Sequence, residues 1–147
     1  MHIVLGEMIR PYTVEDLDEL LDVWYRASLI AHPFLTEGFL ATERTEIAEH
    51  WLPIAETAVY ETDGRVVGFL ALIGNEVGGL FVDPDHQGRG IGRALMDRAR
   101  ATRTFLELNV FEANAIGRGF YDAYGFEFVD RYINERSGQT ELRLRLD

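Results

Sequence analysis

The 147-residue sequence contains no cysteine and no lysine. Without cysteine there are no disulfides, no thiolate metal sites and no thiol nucleophile. Without lysine there is no Schiff-base lysine and no phosphate-loop lysine. Long apolar runs are also missing. The longest, Val66 to Ile73 with Gly68 inside it, falls far below the ~18–20 residues of a membrane-spanning helix. The N-terminus, MHIVLGEMIRPY, has neither a basic start nor an extended apolar core, so no secretory signal is expected and cytoplasmic residence is the default. Positive charge is scarce. Fourteen arginines face 25 acidic residues, for a net charge of −11. Such a field opposes phosphate backbones and attracts cations, so nucleic acid and membrane are not expected as partners.

What is present is the composition of a globular protein, 47% hydrophobic and 27% charged. The length suits one domain over residues 1–147, with residues 1–7 a ragged extension and Met8 at the start of a short strand. Thr13 to Asp16 resembles a capping box. Val14, Leu17, Leu20, Leu21, Trp24 and Ala27 then recur at helical spacing. Pro33 interrupts, and a second helix is predicted from Glu43 to about Ile54, with Ile47 and Trp51 on one face.

A strand-rich middle follows. Thr57–Thr62, Arg65–Ile73 and Glu76–Val82 are separated by the turn signals Asp63-Gly64 and Gly74-Asn75. A helix is predicted from Gly90 to about Ala101, a strand over Phe105–Val110 and a helix over Asn114–Tyr124 with Gly125 as its cap. Phe126–Ile133 and Thr140–Leu146 form the closing hairpin, whose open edge offers a surface for a homodimer. This is an α+β order: an antiparallel meander running into a β-α-β unit whose two strands should be parallel.

The segment Gln87-Gly88-Arg89-Gly90-Ile91-Gly92 joins the third meander strand to a helix. Glycines let the backbone turn tightly and present N–H groups, and the helix adds unpaired N–H groups and the positive end of its dipole. The result is an anion site suited to a pyrophosphate, with Arg89 and Arg93 adding positive charge. A Walker loop is absent. The even spacing of Gly88, Gly90 and Gly92 does not match a dinucleotide fingerprint. It does fit the pattern Gln/Arg-x-x-Gly-x-Gly/Ala.

With that motif the chain resembles the GNAT superfamily of N-acetyltransferases over about residues 8–146. A second stretch, Asn114 to Phe126, resembles the family's Asn-x-x-Ala-x-x-Phe-Tyr-x-x-x-Gly-Phe signature, with Gly117 in place of the usual alanine. The resemblance implies a mixed, mostly antiparallel sheet with a central parallel pair splayed apart and helices on both faces. It implies acetyl-CoA as cosubstrate; no metal is expected, because no histidine pair or carboxylate cluster has metal-ligand spacing. Its pyrophosphate would lie on the amides of Gln87 to Gly92, Ile91 included, and its pantetheine arm would run along Leu80, Phe81 and Val82 between the splayed strands. Tyr121 matches the tyrosine that protonates the departing thiolate, and Asn114 would cap its helix and reach the coenzyme.

Glu76 occupies the place of a glutamate that acts as base in several protein-acetylating relatives; a water is the alternative. Strand periodicity puts Glu76, Gly78, Leu80 and Val82 on one face. Glu107 and Asn109 share a face of the next strand and are candidates to line the acceptor site. His32 and Phe34 belong to a His-Pro-Phe element similar to one in small bacterial members regarded as protein-lysine acetyltransferases, which makes them candidate acceptor contacts. His86 is expected at the surface. The expected reaction is direct transfer from acetyl-CoA to a primary amine, with a peptide or protein amine favoured. A small-molecule amine, another acyl donor and a noncatalytic acyl-CoA-binding module are the alternatives.

Overall fold

The computed structural model describes residues 7–147. The expected ragged extension therefore lies outside the described residues except for Glu7, which already belongs to the first strand. Seven strands form one sheet: β1 (Glu7–Pro11), β2 (Glu56–Thr62), β3 (Arg65–Ile73), β4 (Glu76–Val82), β5 (Leu106–Phe111), β6 (Glu127–Ile133) and β7 (Thr140–Leu146). Their spatial order is β1-β2-β3-β4-β5-β7-β6. Every neighbouring pair is antiparallel except β4–β5. Four helices cover the sheet: α1 (Leu17–Ala31), α2 (Glu37–Glu46), α3 (Ile91–Ala101) and α4 (Ala115–Tyr124).

The two faces hold separate cores. On one, Leu20, Leu21, Val23 and Trp24 of α1 and Leu40 of α2 meet Val59, Val66 and Phe69. On the other, Ile91, Leu95, Met96 and Ala99 of α3 meet Leu70, Leu72, Val77, Leu106, Leu108 and the even-numbered leucines of β7, with Phe120, Tyr121 and Tyr124 of α4 at the margin. Each large side chain removed from water contributes about 1.5–3 kcal/mol. The alternation in Thr140–Leu146 shows the logic: Leu142, Leu144 and Leu146 are buried, whereas Glu141, Arg143 and Arg145 face the other way.

Helix boundaries differ from expectation where capping outweighs periodicity. The second helix begins at Glu37, six residues before the expected Glu43, because the Thr36 hydroxyl accepts a hydrogen bond from the Phe39 N–H at 3.1 Å. It passes at Ile47–Trp51 into a single wide turn. The first helix continues to Ala31 and stops at His32, the residue before Pro33, where helical geometry is disfavoured. Val14, expected in the buried stripe, is instead 73% exposed. Asp16 is the buried group at this corner. Its carboxylate accepts from the Thr13 N–H at 2.9 Å and pairs with Arg10 at 2.8 Å, and that arginine holds its carboxyl below the usual range.

One feature of β4 governs the site. Val77 pairs with Leu72 of β3 but Gly79 pairs with Ala71, so Gly78 is an extra residue in the strand. The bulge reverses the alternation. Glu76 shares a face with Gly79 and Phe81, and Leu80 and Val82 lie on the opposite face with Val77. The expectation that Glu76, Leu80 and Val82 share a face is corrected by this single inserted residue. On the other side β4 pairs with β5 only at Glu76↔Glu107 and Val77↔Leu108. Beyond Val77 the two strands diverge.

Close approach of α3 to the sheet depends on Gly68. A Cβ there would lie 3.0 Å from Ile91 Cγ2 and 3.3 Å from the Phe81 carbonyl oxygen, and the backbone oxygen has no freedom to retreat. Gly68→Ala is expected to destabilise the protein by about 1–3 kcal/mol, the range for overpacking. Urea denaturation of the variant against the parent measures it, and an unchanged midpoint would contradict the packing described.

Candidate active site

The diverging strands open into a cavity of about 700 Å³. Its floor is Gly78 to Phe81 on one side and Asn109 to Phe111 on the other. Trp24, Ser28 and His32 of the α1 end, Leu35 to Trp51 of the α2 region, and Tyr121 complete the wall. Tyr132, Asn134, Arg136 and Glu141 from the β6–β7 hairpin form part of the rim.

Tyr121 projects from α4 into this space, braced edge-on against Phe120 at 5.5 Å and Phe126 at 5.6 Å. Among the described residues its hydroxyl has no hydrogen-bond partner. Burial pushes its pKa up to about 12, so the phenol keeps its proton throughout the neutral range. A protonated hydroxyl aimed into a cavity is what a proton donor requires.

The α4 helix is held by its N-cap. Asn114 Oδ1 accepts from the Gly117 N–H at 2.9 Å, which leaves its amide nitrogen 3.2 Å from His32 Nε2. That nitrogen can only donate, so His32 Nε2 accepts and the ring proton resides on Nδ1. The glycine at 117 has a steric reason here. A Cβ would stand 2.5 Å from Asn114 Nδ2, so the usual alanine would press on this amide. His32 is packed edge-on against Phe111 at 5.1 Å and Phe34 at 5.7 Å. Burial lowers its pKa to about 4. His32 lines the cavity as a neutral ring, whereas Phe34 stands behind it against Phe111 at 5.4 Å and does not line the cavity.

The glycine loop lies beyond the C-terminal end of β4, outside the cavity. Gly88 and Gly90 have φ of +78° and +81°, and a Cβ at either would meet nothing. They are needed for backbone conformation, and the space beside them stays open. Gly90 is also the N-cap of α3, with no side-chain capping bond, so the first N–H groups of the helix are left for another acceptor. Gln87 donates to the Val82 carbonyl at 3.1 Å and so ties the loop to the strand end. Arg89 and Arg93 are exposed there. Open N–H groups, two left-handed glycines and two arginines fit an anion of the size of a diphosphate.

Sequence reasoning missed the clamp that holds this loop from the α1 side. Arg26 pairs with the buried Asp83 and with Asp85 at 3.0 Å, and Asp83 also accepts the Asp85 N–H at 2.8 Å. His86 is only partly exposed, and its Nδ1 is buried 3.6 Å from Asp83. The Asp-Pro-Asp turn signal was visible, but its partner 57 residues upstream was not.

Glu76 lines the cavity but is not free. Arg143 grips it with two parallel hydrogen bonds, at 2.7 and 2.9 Å. The same guanidinium donates to Glu107 at 3.1 Å and to Asn109 Oδ1 at 3.0 Å. The expected base is therefore an ion-paired carboxylate, each of its oxygens bonded to Arg143. Asn109 lines the cavity; Glu107 does not, being held between Arg143 and Arg145. Arg143 was missed because only the β5–β7 register brings it to this place, although the Leu-Arg-Leu-Arg alternation already put it on the polar face. Among the described residues no group of His, Asp and Glu is arranged to hold a metal ion.

The lowered pKa of His32 has a measurable consequence. Between pH 6.5 and 4 the unfolded chain binds a proton that the folded chain refuses, so stability falls as pH falls through that window and levels below it. Replacement by Gln retains an acceptor for Asn114 and removes the titration. The stability difference between parent and His32→Gln should shift against the parent by about 2–3 kcal/mol from pH 7 to pH 4.5. Urea melts at the two pH values test this, and a pH-independent difference would contradict it.

Comparison with known proteins agrees with this geometry. A family model described as an acetyltransferase (GNAT) domain matches residues 53–128. The peptidyl-lysine N-acetyltransferase YjaB of Salmonella typhimurium is 36% identical over 124 residues, covering 84% of this chain and 85% of that protein. The solution structure of apo YjaB from Escherichia coli superposes with a TM-score of 0.83 at 30% identity, covering 95% of this chain and 96% of that one. The PaiA N-acetyltransferase of Thermoplasma acidophilum, crystallised with coenzyme A, shares the fold with a TM-score of 0.76 at 19% identity over 95% of this chain and 98% of its own. The chain belongs to the GNAT family of acetyl-CoA-dependent N-acetyltransferases, whose fold it shares over nearly its whole length.

Proposed function

We propose that this protein acetylates the side-chain amine of lysine in peptides or proteins. The observation that carries the reading is the partnerless, protonated hydroxyl of Tyr121 inside the wedge between β4 and β5. Three relatives at 32–37% identity over 84% of this chain are peptidyl-lysine N-acetyltransferases, which supports lysine as the acceptor. The net charge of −11 favours a cationic amine over an acidic one.

Acetyl-CoA supplies an activated acyl group as a thioester. The amides of residues 87–92 would hold its diphosphate, with Arg89 and Arg93 beside them. The backbone of Gly79 to Val82 has β3 on one side and no strand on the other beyond Val77, so it would hydrogen-bond the extended arm. Asn114, already fixed by Gly117 and His32, would meet the same arm. The acceptor amine would enter from the His32 and Asn109 side. Tyr121 would give its proton to the departing sulfur as the C–S bond breaks. The amine's proton is assigned to water in the cavity, because the Glu76 carboxylate is already engaged by two charge-assisted bonds from Arg143.

Tyr121→Phe removes the proton and little else. The variant should lose at least about tenfold in kcat, and KM for acetyl-CoA should stay within about threefold, as loss of a general acid predicts. A thiol-release assay with a lysine peptide measures both. An unchanged kcat would remove Tyr121 from the chemistry. Release with polyamines or aminoglycosides but not with lysine peptides would replace the acceptor class.

A further inference from the structure

Three carboxylates line the cavity, and their partners differ in a way that bears on the acceptor. Glu76 is neutralised by Arg143, and Glu43 is neutralised by Arg136, which reaches across from the β6–β7 turn. Glu141 is the third. Its Oε2 accepts from the Tyr132 hydroxyl at 2.8 Å and its Oε1 from the Asn134 side-chain amide at 2.8 Å. Both donors are neutral, and among the described residues Glu141 has no ion-pair partner.

These donors are themselves held. Asn134 Oδ1 accepts the Ser137 N–H at 3.1 Å and the Asn134 carbonyl accepts the Gly138 N–H at 2.7 Å. The turn therefore directs the amide nitrogen, not the oxygen, at Glu141. Tyr132 is the direct cross-strand neighbour of Glu141, and Phe111 is its neighbour on the other side. Phe111 in turn meets His32 at 5.1 Å. The carboxylate thus belongs to the acceptor side of the cavity, oriented by two bonds and uncompensated in charge. Phe111, Tyr132 and the paired acids flank it, so a cation entering here finds one carboxylate without an ion-pair partner among the described residues.

We infer that Glu141 is the specificity-determining residue for the acceptor, the carboxylate that binds the lysine ammonium as it enters the cavity. The assignment rests on the lysine-acetyltransferase reading above. It accounts for two features that reading leaves aside: the hairpin turn that orients Asn134, and the neutralisation of the other two cavity acids by arginine. The ammonium would satisfy Glu141 as no arginine of the described chain does, and the half-exposed Tyr132 would cover the aliphatic stem of the lysine beside it.

The test is steady-state kinetics with acetyl-CoA and a blocked Gly-Lys-Gly peptide on the parent, Glu141→Gln and Glu141→Asp. Thermal melts on all three establish that each is folded. The inference expects KM for the peptide to rise about tenfold or more in Glu141→Gln, with kcat and KM for acetyl-CoA within about threefold, a pattern of lost uniform binding. Glu141→Asp, which keeps the charge, should recover most of the loss. The peptide KM of the parent should rise with added salt more steeply than that of Glu141→Gln. If Glu141→Gln matches the parent, or if Asp is no better than Gln, the assignment fails while the enzyme's function stands. If Glu141→Gln lowers kcat and leaves KM alone, the residue acts in the chemical step and the inference is overturned. If the parent itself acetylates no lysine peptide, the functional reading falls and takes this inference with it.

Discussion

Backbone polar groups inside a sheet must find partners, and β4 and β5 find each other for two residues only. Past Val77 the facing edges of two interior strands are left without their ladder, in the middle of a sheet whose other pairs zip along their length. The bulge at Gly78 starts the departure, and Tyr121 at the end of α4 stands in the gap. An interior gap of this kind is costly unless something extended and hydrogen-bonding fills it. The cavity, the exposed strand backbone and the partnerless phenol all follow from that one divergence.

Electrostatics then sorts the cavity by function. Arg143 gathers Glu76, Glu107 and Asn109 under one guanidinium, so the polar face of β5 and β7 is a bonded network rather than a row of free acids. Arg136 does the same for Glu43 across the cavity, while lying 5.6 Å over the Phe39 ring. In a protein with 25 acids and only 14 arginines, where each arginine goes determines which carboxylates have an ion-pair partner. At the glycine loop the arrangement is backbone-built: left-handed glycines and an uncapped helix start, fixed in place by Gln87 from one side and by the Arg26–Asp83 pair from the other.

The strands were legible because they are bounded by strong turn signals and alternate cleanly, and both glycine-bearing motifs were legible because they are local. Asn114, Gly117 and Tyr121 sit within eight consecutive positions, so a single helix carries them. What could not be read depends on register or on distant partners. The start of α2 was hidden behind the more conspicuous Ile47 and Trp51, with Thr36 the overlooked cap. The bulge at Gly78 inverts the faces of β4 and is invisible to a period-two count. Glu76 looked like an available base because Arg143 is 67 residues away and meets it only through the β4–β5–β7 order. His32 and Asn114, 82 residues apart, are joined for the same reason.

The central claim is that the wedge between β4 and β5, with the glycine loop at its mouth, is where the donor coenzyme lies. Amide hydrogen exchange with and without coenzyme A tests it at residue level. The account predicts slowed exchange at the amides of residues 79–82 and 88–92 on addition of coenzyme, with β1 and β2 unaffected. Protection confined to another surface, or no change at those two stretches at saturating coenzyme, would contradict it.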